Sequence, residues 1–202
     1  MADDAARIVE LDDDGEPLPA DPSPPAEPEK RLLDYRSAIH ALHSACASGD
    51  TEAVRALLED VLVCDHTSTS PDDARPISAD AARDDGSSPL LLACERGHAD
   101  VVALLLENGA APDAANVDGH TALMFAQNGR AQVAALRAKY LASVPAAAGA
   151  PDDANLATID AARAAHERCV QLLLANGADA RRADREGRIA ADFAPREPAA
   201  AA

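Results

Sequence analysis

The sequence predicts an all-α solenoid, built from about five helix-turn-helix units that stack along one axis. About a quarter of the 202 residues are Ala, whereas the chain has two Phe, two Tyr and no Trp. This composition favours closely packed helices over a sandwich of strands, because strands prefer branched and aromatic side chains. Recurring sequence motifs, which we call phrases, then divide the chain into units.

An apolar helical phrase recurs in the C-terminal half of the chain. Residues 101–110 read VVALLLENGA, and residues 169–178 read CVQLLLANGA, 68 positions later. His98 recurs as His166 at the same distance. Because 68 is twice 34, the spacing predicts an intermediate copy between the two.

A glycine-led phrase marks the start of a unit. DGSSPLLLA begins at Asp85, DGHTALMFA at Asp118 and EGRIAADFA at Glu186. The glycine fits a turn residue with positive φ, and the hydroxyl of Ser88 or Thr121 can cap the following helix. Each phrase therefore predicts a turn that leads into a helix.

These phrases resemble the ankyrin repeat, whose pattern runs D-x-x-G-x-T-P-L-H-x-A-A-x-x-G-H and continues into an apolar helix ending L-L-x-x-G-A. Residues 86–110 match it nearly throughout, and residues 41–58 carry an earlier copy. The resemblance covers residues 36–194 and implies two short antiparallel helices in each unit. The first helices of the five units are marked by Leu42, Leu90, Leu123, Ala161 and Ala191.

The units depart from this pattern in several places. We interpret residues 65–82 as an inserted loop, because Gly49 and Gly97 are 48 positions apart, which exceeds one repeat. The third unit reaches Gly129 one residue early, which predicts a distorted first helix. The fourth unit is degenerate, since Ala165 stands where a turn glycine would align, and the fifth is truncated.

The ends of the chain differ from the repeat region. Residues 1–34 hold eleven acidic and three basic side chains and have little to bury, so we predict a disordered acidic tail. The ankyrin-repeat domain is assigned to residues 35–195, and residues 196–202 to a disordered C-terminal tail. The net charge of −17 disfavours nucleic acid as a direct ligand.

The sequence lacks the signals of membrane insertion, catalysis and metal binding. No apolar run approaches the roughly 20 residues of a membrane span, and the first residues lack a signal-peptide pattern. We therefore expect an intracellular protein, cytoplasmic or nuclear, with no membrane partner. The catalytic motifs that we sought are absent, and the Cys and His residues lack zinc-finger spacing. The sequence thus predicts no enzyme, no metal and no cofactor.

The resemblance implies a surface for a protein partner, formed by the turn tips and the exposed positions of the first helices. Carried over by position, this surface consists of Asp85, Ser87, Glu95, Arg96, Asn116, Asp118, His120, Asn128 and Arg163. A basic cluster lies near the last turn and comprises Arg181, Arg182, Arg185 and Arg188. Either the cluster binds an acidic segment, or it is a solvated turn whose positive charge is partly neutralised by neighbouring carboxylates.

Three functions are compatible with these observations. The first is an adaptor or scaffold that binds a partner protein through a concave ankyrin surface and is monomeric without it. The second is a self-inhibited binding protein, whose acidic tail, with its run at residues 12–16, competes for the repeat surface. The third is a structural subunit of a larger complex. The identity of the partner does not follow from a repeat scaffold.

Overall fold

The fold is a row of helix pairs, described by a computed structural model for residues 31–64, 75–143 and 153–195. Its helices are α1 (Tyr35–Ser48), α2 (Thr51–Asp60), α3 (Pro89–Arg96), α4 (Ala99–Glu107), α5 (Ala122–Ser143) and α6 (Asp153–Ala175). A short 3-10 turn, Ala190–Phe193, follows them. Helices α1, α3 and α5 form an inner row that the 3-10 turn extends, and α2, α4 and α6 form an outer row. The predicted helical solenoid is confirmed.

Polar caps start the inner helices where the sequence predicts them. The Ser88 hydroxyl accepts a hydrogen bond from the Leu91 N–H at 3.4 Å, and Pro89 occupies the first turn of α3. Thr121 Oγ1 accepts from the Met124 N–H at 3.5 Å at the start of α5. Each cap pairs one of the backbone donors that a helix N-terminus otherwise leaves open.

Gly97 ends α3 in the left-handed conformation, with φ of 75°. Its N–H points to the carbonyls of Ala93 and Cys94, as in a helix C-cap. The chain then reverses direction, and α4 begins at Ala99. The pair α3–α4 is therefore a compact helix-turn-helix unit.

The glycine-led turns project beside the inner helices, and we call them fingers. Finger 1 comprises residues 82–88, finger 2 residues 115–121 and finger 3 residues 183–189. The Val117 N–H donates to the Asp85 carbonyl at 3.2 Å, and the Arg185 N–H donates to the Asp118 carbonyl at 3.1 Å. Finger 3 thus stacks directly on finger 2, which leaves no room between them for the turn of another unit.

The described residues do not form the separate fourth unit that the sequence predicts. His98, in the pair α3–α4, stacks on Gly49 of the preceding pair, where an added Cβ would lie 2.5 Å from the His98 Nδ1. His166 stacks on Gly97 in the same way, at 3.0 Å from its Nε2. Helix α6, which carries His166, is therefore the outer helix of the third unit. The described chain contains three helix pairs and a truncated last turn.

An inserted helical hairpin explains the spacing of 68 residues. Gly129 has no left-handed φ, unlike Gly97, so α5 continues past it to Ser143. Helix α6 begins at Asp153, more than two turns before His166. The 68 positions from His98 to His166 equal one repeat of 33 residues, the distance from Gly86 to Gly119, plus about 35 inserted residues. The hairpin is the part of α5 and α6 within residues 130–143 and 153–165.

Two ion pairs set the register of this hairpin. Arg130 Nη1 lies 2.9 Å from Glu167 Oε2, and Arg137 Nε lies 2.8 Å from Asp160 Oδ1. The pairs are one heptad apart on each helix, as in an antiparallel coiled coil. The hairpin therefore continues the packing of α5 on α6 beyond the repeat.

The aliphatic core follows the two helix rows and stops at the hairpin. Its fully buried leucines are Leu42, Leu90, Leu91, Leu105, Leu123 and Leu173. None of the described side chains of residues 130–143 and 154–165 is buried. Ala161, which is predicted above to mark a first helix, is exposed there, as is its neighbour Ala162, so that prediction is wrong.

A small sheet, which the sequence did not predict, lies against the first helix pair. Strand β1 (Arg31–Asp34) pairs in parallel with β2 (Val61–Cys64), and β3 (Arg75–Pro76) pairs with β2 in antiparallel. Its first strand comprises the last four residues of the predicted acidic tail.

Parts of the predicted tails and loop lie outside the described residues, namely residues 1–30, 65–74 and 196–202. The described end of the predicted inserted loop packs on the array. Ile77, Ala79 and Ala81 are buried there, and the Ala81 carbonyl lies 2.7 Å from His43 Nε2.

Candidate functional site

Several predicted binding residues shape the fingers themselves. The Asp85 carboxylate accepts a hydrogen bond from the Ser87 N–H at 2.9 Å, and this bond holds the pKa of Asp85 below its usual value. Asn116 Oδ1 accepts from the N–H groups of Asp118 and His120, both at 3.0 Å. The side chains of Asp85 and Asp118 are exposed, so a partner can reach both tips.

The exposed positions of the inner helices separate into two groups. Glu95 and Arg96 are exposed at the end of α3, and Asn128 is half-buried on α5. These three residues belong to the inner row. Arg163 does not, because it lies on α6 within the inserted hairpin, and its predicted place on an inner helix is wrong.

Finger 2, α5 and the 3-10 turn enclose a small cavity, which we call the aromatic hollow. It is lined by His120, Met124, Phe125, Asn128 and Phe193 and has a volume of about 70 Å³. The His120 ring meets Phe125 and Phe193 edge to face, with centroid distances of 5.8 and 6.1 Å. Both phenylalanines of the chain therefore stand here, each half-buried.

Arg188, a member of the predicted basic cluster, is held beside this hollow. Its guanidinium lies 5.0 Å from the Phe193 ring centroid and 3.2 Å from His120 Nε2. It also forms ion pairs of 2.9 Å with Asp184 and Glu186. Its charge is therefore balanced within finger 3.

The buried carboxylate of Asp184 organises finger 3. Burial acts to raise its pKa, but hydrogen bonds from the backbone and side chain of Arg188 and from the Glu186 N–H hold the pKa below its usual value. His120 Nε2 lies 3.4 Å away. The carboxylate thus ties the two ends of finger 3 together and links them to finger 2.

The other three arginines of the basic cluster are exposed: Arg181, Arg182 and Arg185. Within the described residues, their guanidinium groups form no ion pair. The neighbouring carboxylates of Asp179 and Asp192 accept backbone N–H groups at 2.8 Å. The cluster therefore consists of one anchored arginine and three that point to solvent.

A second, larger groove lies between α1 and finger 1, and we call it the N-terminal groove. Its volume is about 820 Å³, and its described lining residues are Tyr35, Arg36, Ile39, His40, Ala82, Arg83, Asp84 and Asp85. Of these, Asp85 is predicted from the sequence. The α1 residues are not, because the first unit has no glycine-led motif to mark its turn.

The buried histidines and cysteines support the stack. Burial lowers the pKa of the His166 ring, and the Cys94 backbone acts to raise it. Cys46, Cys94 and Cys169 are free and buried. In the ranges that the structure describes, no three His, Cys, Asp or Glu side chains group to hold a metal ion. No helix in those ranges has the length and apolar character to cross a bilayer.

The comparisons with known proteins agree with the repeated helix pairs. A sequence model of ankyrin repeats (three copies) matches residues 42–141, about half of the chain. The match runs from α1 nearly to the end of α5 and thus spans the inner helices of all three units. No curated protein matches the sequence significantly. With its helix pairs, stacked fingers and matching residues, the chain belongs to the ankyrin-repeat family.

Proposed function

We propose that this protein is an adaptor or scaffold that binds a partner protein through its concave face, the surface formed by the three fingers and the inner helices α1, α3 and α5. Ankyrin repeats are generally protein–protein interaction modules. The observation that carries the proposal is the aromatic hollow, where half-buried Phe125 and Phe193 stand beside Arg188. Aromatic and arginine side chains dominate the binding free energy of many interfaces.

The concave face offers different contacts along its length. An apolar side chain of the partner would enter the aromatic hollow, where Asn128 can hydrogen-bond to the partner's backbone. The exposed carboxylates of Asp85 and Asp118 and the exposed guanidinium of Arg185 line the finger tips. Such exposed charges mainly set the association rate and the choice of partner.

The ankyrin-repeat family is typically non-enzymatic, and we propose that this chain has no catalytic activity and needs no cofactor. The carboxylates with lowered pKa, Asp85 and Asp184, each hold a turn. Burial within the stack lowers the pKa of the His43 and His166 rings. Turn hydrogen bonds and burial in the array therefore account for these four shifts.

Proximity labelling with matched variants tests the proposed surface. A concave-face variant carries Glu95→Lys, Arg96→Glu and Asn128→Lys. A control with the same net charge change carries Glu107→Lys, Arg55→Glu and Gln171→Lys, all exposed on the outer helices. We expect the concave variant to lose partners of the wild-type chain and the control to keep them. The opposite result would place the binding surface on the outer row.

The exposed arginines favour a second candidate, in which the chain's acidic N-terminal segment competes for the concave face. Arg181, Arg182 and Arg185 have no carboxylate partner among the described residues, unlike Arg188. Deletion of residues 1–28 should then raise the affinity for a partner at low salt, where charge attraction is strongest. An affinity that is unchanged at every salt concentration would reject this candidate.

We further propose an intracellular, cytoplasmic or nuclear protein that is monomeric without its partner. The free, buried thiols of Cys46, Cys94 and Cys169 suit a reducing compartment. Sedimentation of the purified chain should give a single particle near 20.8 kDa. A stable larger particle would contradict the monomer.

A further inference from the structure

The inserted hairpin is a second surface, separate from the concave face. It leaves the array at the end of α5 opposite finger 2, because α5 begins at the finger and runs past Gly129 into the hairpin. We propose that this hairpin binds an acidic amphipathic helix of a partner protein. The proposal goes beyond binding at the concave face and does not depend on it.

The hairpin exposes large apolar side chains. The described residues include four large apolar side chains that are well exposed, and two of them are on the hairpin: Leu136, 54% exposed, and Leu141, 39% exposed. Val133, Leu136 and Tyr140 follow a helical spacing of three and then four residues, so they lie along one side of α5. This side forms an apolar stripe in which Leu136 is exposed, whereas Val133 and Tyr140 are half-buried.

The register of the hairpin places small residues beside this stripe. The ion pairs Arg130–Glu167 and Arg137–Asp160 set Leu136 opposite Ala161 and Ala162 on α6. Both alanines are exposed. A third helix can approach α6 closely at such small side chains while its own apolar side chains contact Leu136. The geometry therefore fits a helix laid along the pair.

The charges of the hairpin select an acidic partner. Arg130 and Arg137 are neutralised by their ion pairs, whereas Lys139 and Arg163 are exposed and have no ion pair among the described residues. Lys139 lies three residues after Leu136 on α5, and Arg163 directly follows Ala162 on α6, in a chain whose net charge is −17. Carboxylates that flank the apolar side of a partner helix would complement them.

A second copy of this chain fits the hairpin less well. Two hairpins packed face to face would bring together the Lys139 and Arg163 cations of both copies. This repulsion favours a helix from a different protein.

Two synthetic peptides of about three heptads test the proposal. Both carry the same Leu stripe at helical spacing, and the flanking positions are Glu in one peptide and Lys in the other. Fluorescence anisotropy at about 0.15 M salt, where the net charge of the chain is largely screened over distances beyond about 8 Å, measures their binding to the full chain. We expect the Glu peptide to bind and the Lys peptide to bind at least roughly tenfold more weakly.

Matched variants of the full chain locate the binding site. Lys139→Glu with Arg163→Glu should weaken binding of the Glu peptide by roughly tenfold or more. Arg36→Glu with Arg83→Glu changes the net charge equally at the N-terminal groove and should leave the affinity unchanged. Leu136→Ser should weaken binding in the same way as the hairpin charge variant.

Three results would overturn the proposal: equal binding of both peptides, binding unaffected by the hairpin variants, or a chain that dimerises through Leu136 in sedimentation experiments. Circular dichroism should show that the variants stay helical, because all the substituted side chains are exposed. Failure of the concave-face test leaves this result unaffected, since the peptide experiment uses different residues and a different ligand.

Discussion

Gly129 and His166 lie against each other although 36 residues separate them in the sequence. A Cβ placed on Gly129 would meet the ring of His166, with its Nδ1 only 2.6 Å away. The same ring stacks on Gly97 of the preceding unit. The two helices of the third unit, α5 and α6, therefore meet at His166. The chain between Gly129 and His166 is an insertion.

Gly129→Ala should destabilise the protein, although Ala in a helix interior is normally more favourable than Gly by about 0.5–1 kcal/mol. The added methyl group collides with the buried His166 ring, and overpacking of this kind costs about 1–3 kcal/mol. Urea unfolding followed by circular dichroism measures the difference. A stabilised Gly129→Ala protein would contradict the contact.

The matched control removes the ring. In a His166→Ala background the collision is gone, so Gly129→Ala should become neutral or stabilising. If Gly129→Ala changes the free energy of unfolding by the same amount in the wild type and in His166→Ala, Gly129 and His166 do not interact.

Stability should fall as the pH is lowered from 7.5 to 5.5. Burial lowers the pKa of His43 and of His166, and bonds to the carbonyls of Ala81 and Cys94 offset this only in part. The unfolded chain, with histidine pKa near 6.5, then binds more protons than the folded chain as the pH falls through that value. The histidines' contribution is therefore present above about pH 6.5 and lost below it.

Urea titrations at several pH values measure this dependence. Replacing both His43 and His166 by Gln should flatten the change in the free energy of unfolding over this window. The lowered pKa values of Asp85 and Asp184 act at more acidic pH, because a carboxylate with a depressed pKa stabilises the fold above its unfolded pKa. An unchanged slope in the double variant would contradict the assignment to these histidines.

Gly109→Val should cost about 1 kcal/mol or more through backbone strain. Gly109 ends the second unit with φ of +83°, and an added Cβ would find no atom within 4 Å. The site thus isolates the conformational effect from steric contact. Gly109→Asn should cost less, because Asn tolerates the left-handed region better than Val. Equal stability of the Val variant and the wild type in urea would refute this role.

Asp184→Asn should loosen the C-terminal end of the array and leave the first two units intact. The amide cannot accept the hydrogen bonds from Arg188 and Glu186 as a carboxylate does, and the charge that pairs with Arg188 is lost. In a repeat array each unit depends mainly on its neighbours, so the damage stays local. Hydrogen exchange should become faster in finger 3 and the 3-10 turn. Uniform acceleration along the chain would contradict local coupling.

Local features of the repeat could be predicted from the sequence. The caps at Ser88 and Thr121 and the left-handed glycines Gly86 and Gly119 depend on neighbouring residues alone. The fourth unit was predicted wrongly because the insertion of about 35 residues is nearly as long as a repeat. Its sequence is also rich in good helix formers. The signal against it was Ala165, where a real unit would have a turn glycine.

The aromatic hollow could be predicted only in part. His120, Asn128 and Arg188 were found by position, whereas Phe125 and Phe193 were not. The two phenylalanines are 68 positions apart, and they meet because finger 3 stacks directly on finger 2. An additional unit between these fingers, as first predicted, would have separated them. Because the sequence predicts one unit too many at this point, it does not predict that Phe125 and Phe193 lie together.

A deletion of the hairpin tests the third unit most directly. A variant that lacks residues 131–165 and carries Arg130→Gly places His166 33 positions after His98, the spacing of Gly86 and Gly119. Urea unfolding followed by far-ultraviolet circular dichroism should show a helical protein with a cooperative transition. A variant that is unfolded or melts without cooperativity would show that residues 131–165 belong to the array itself.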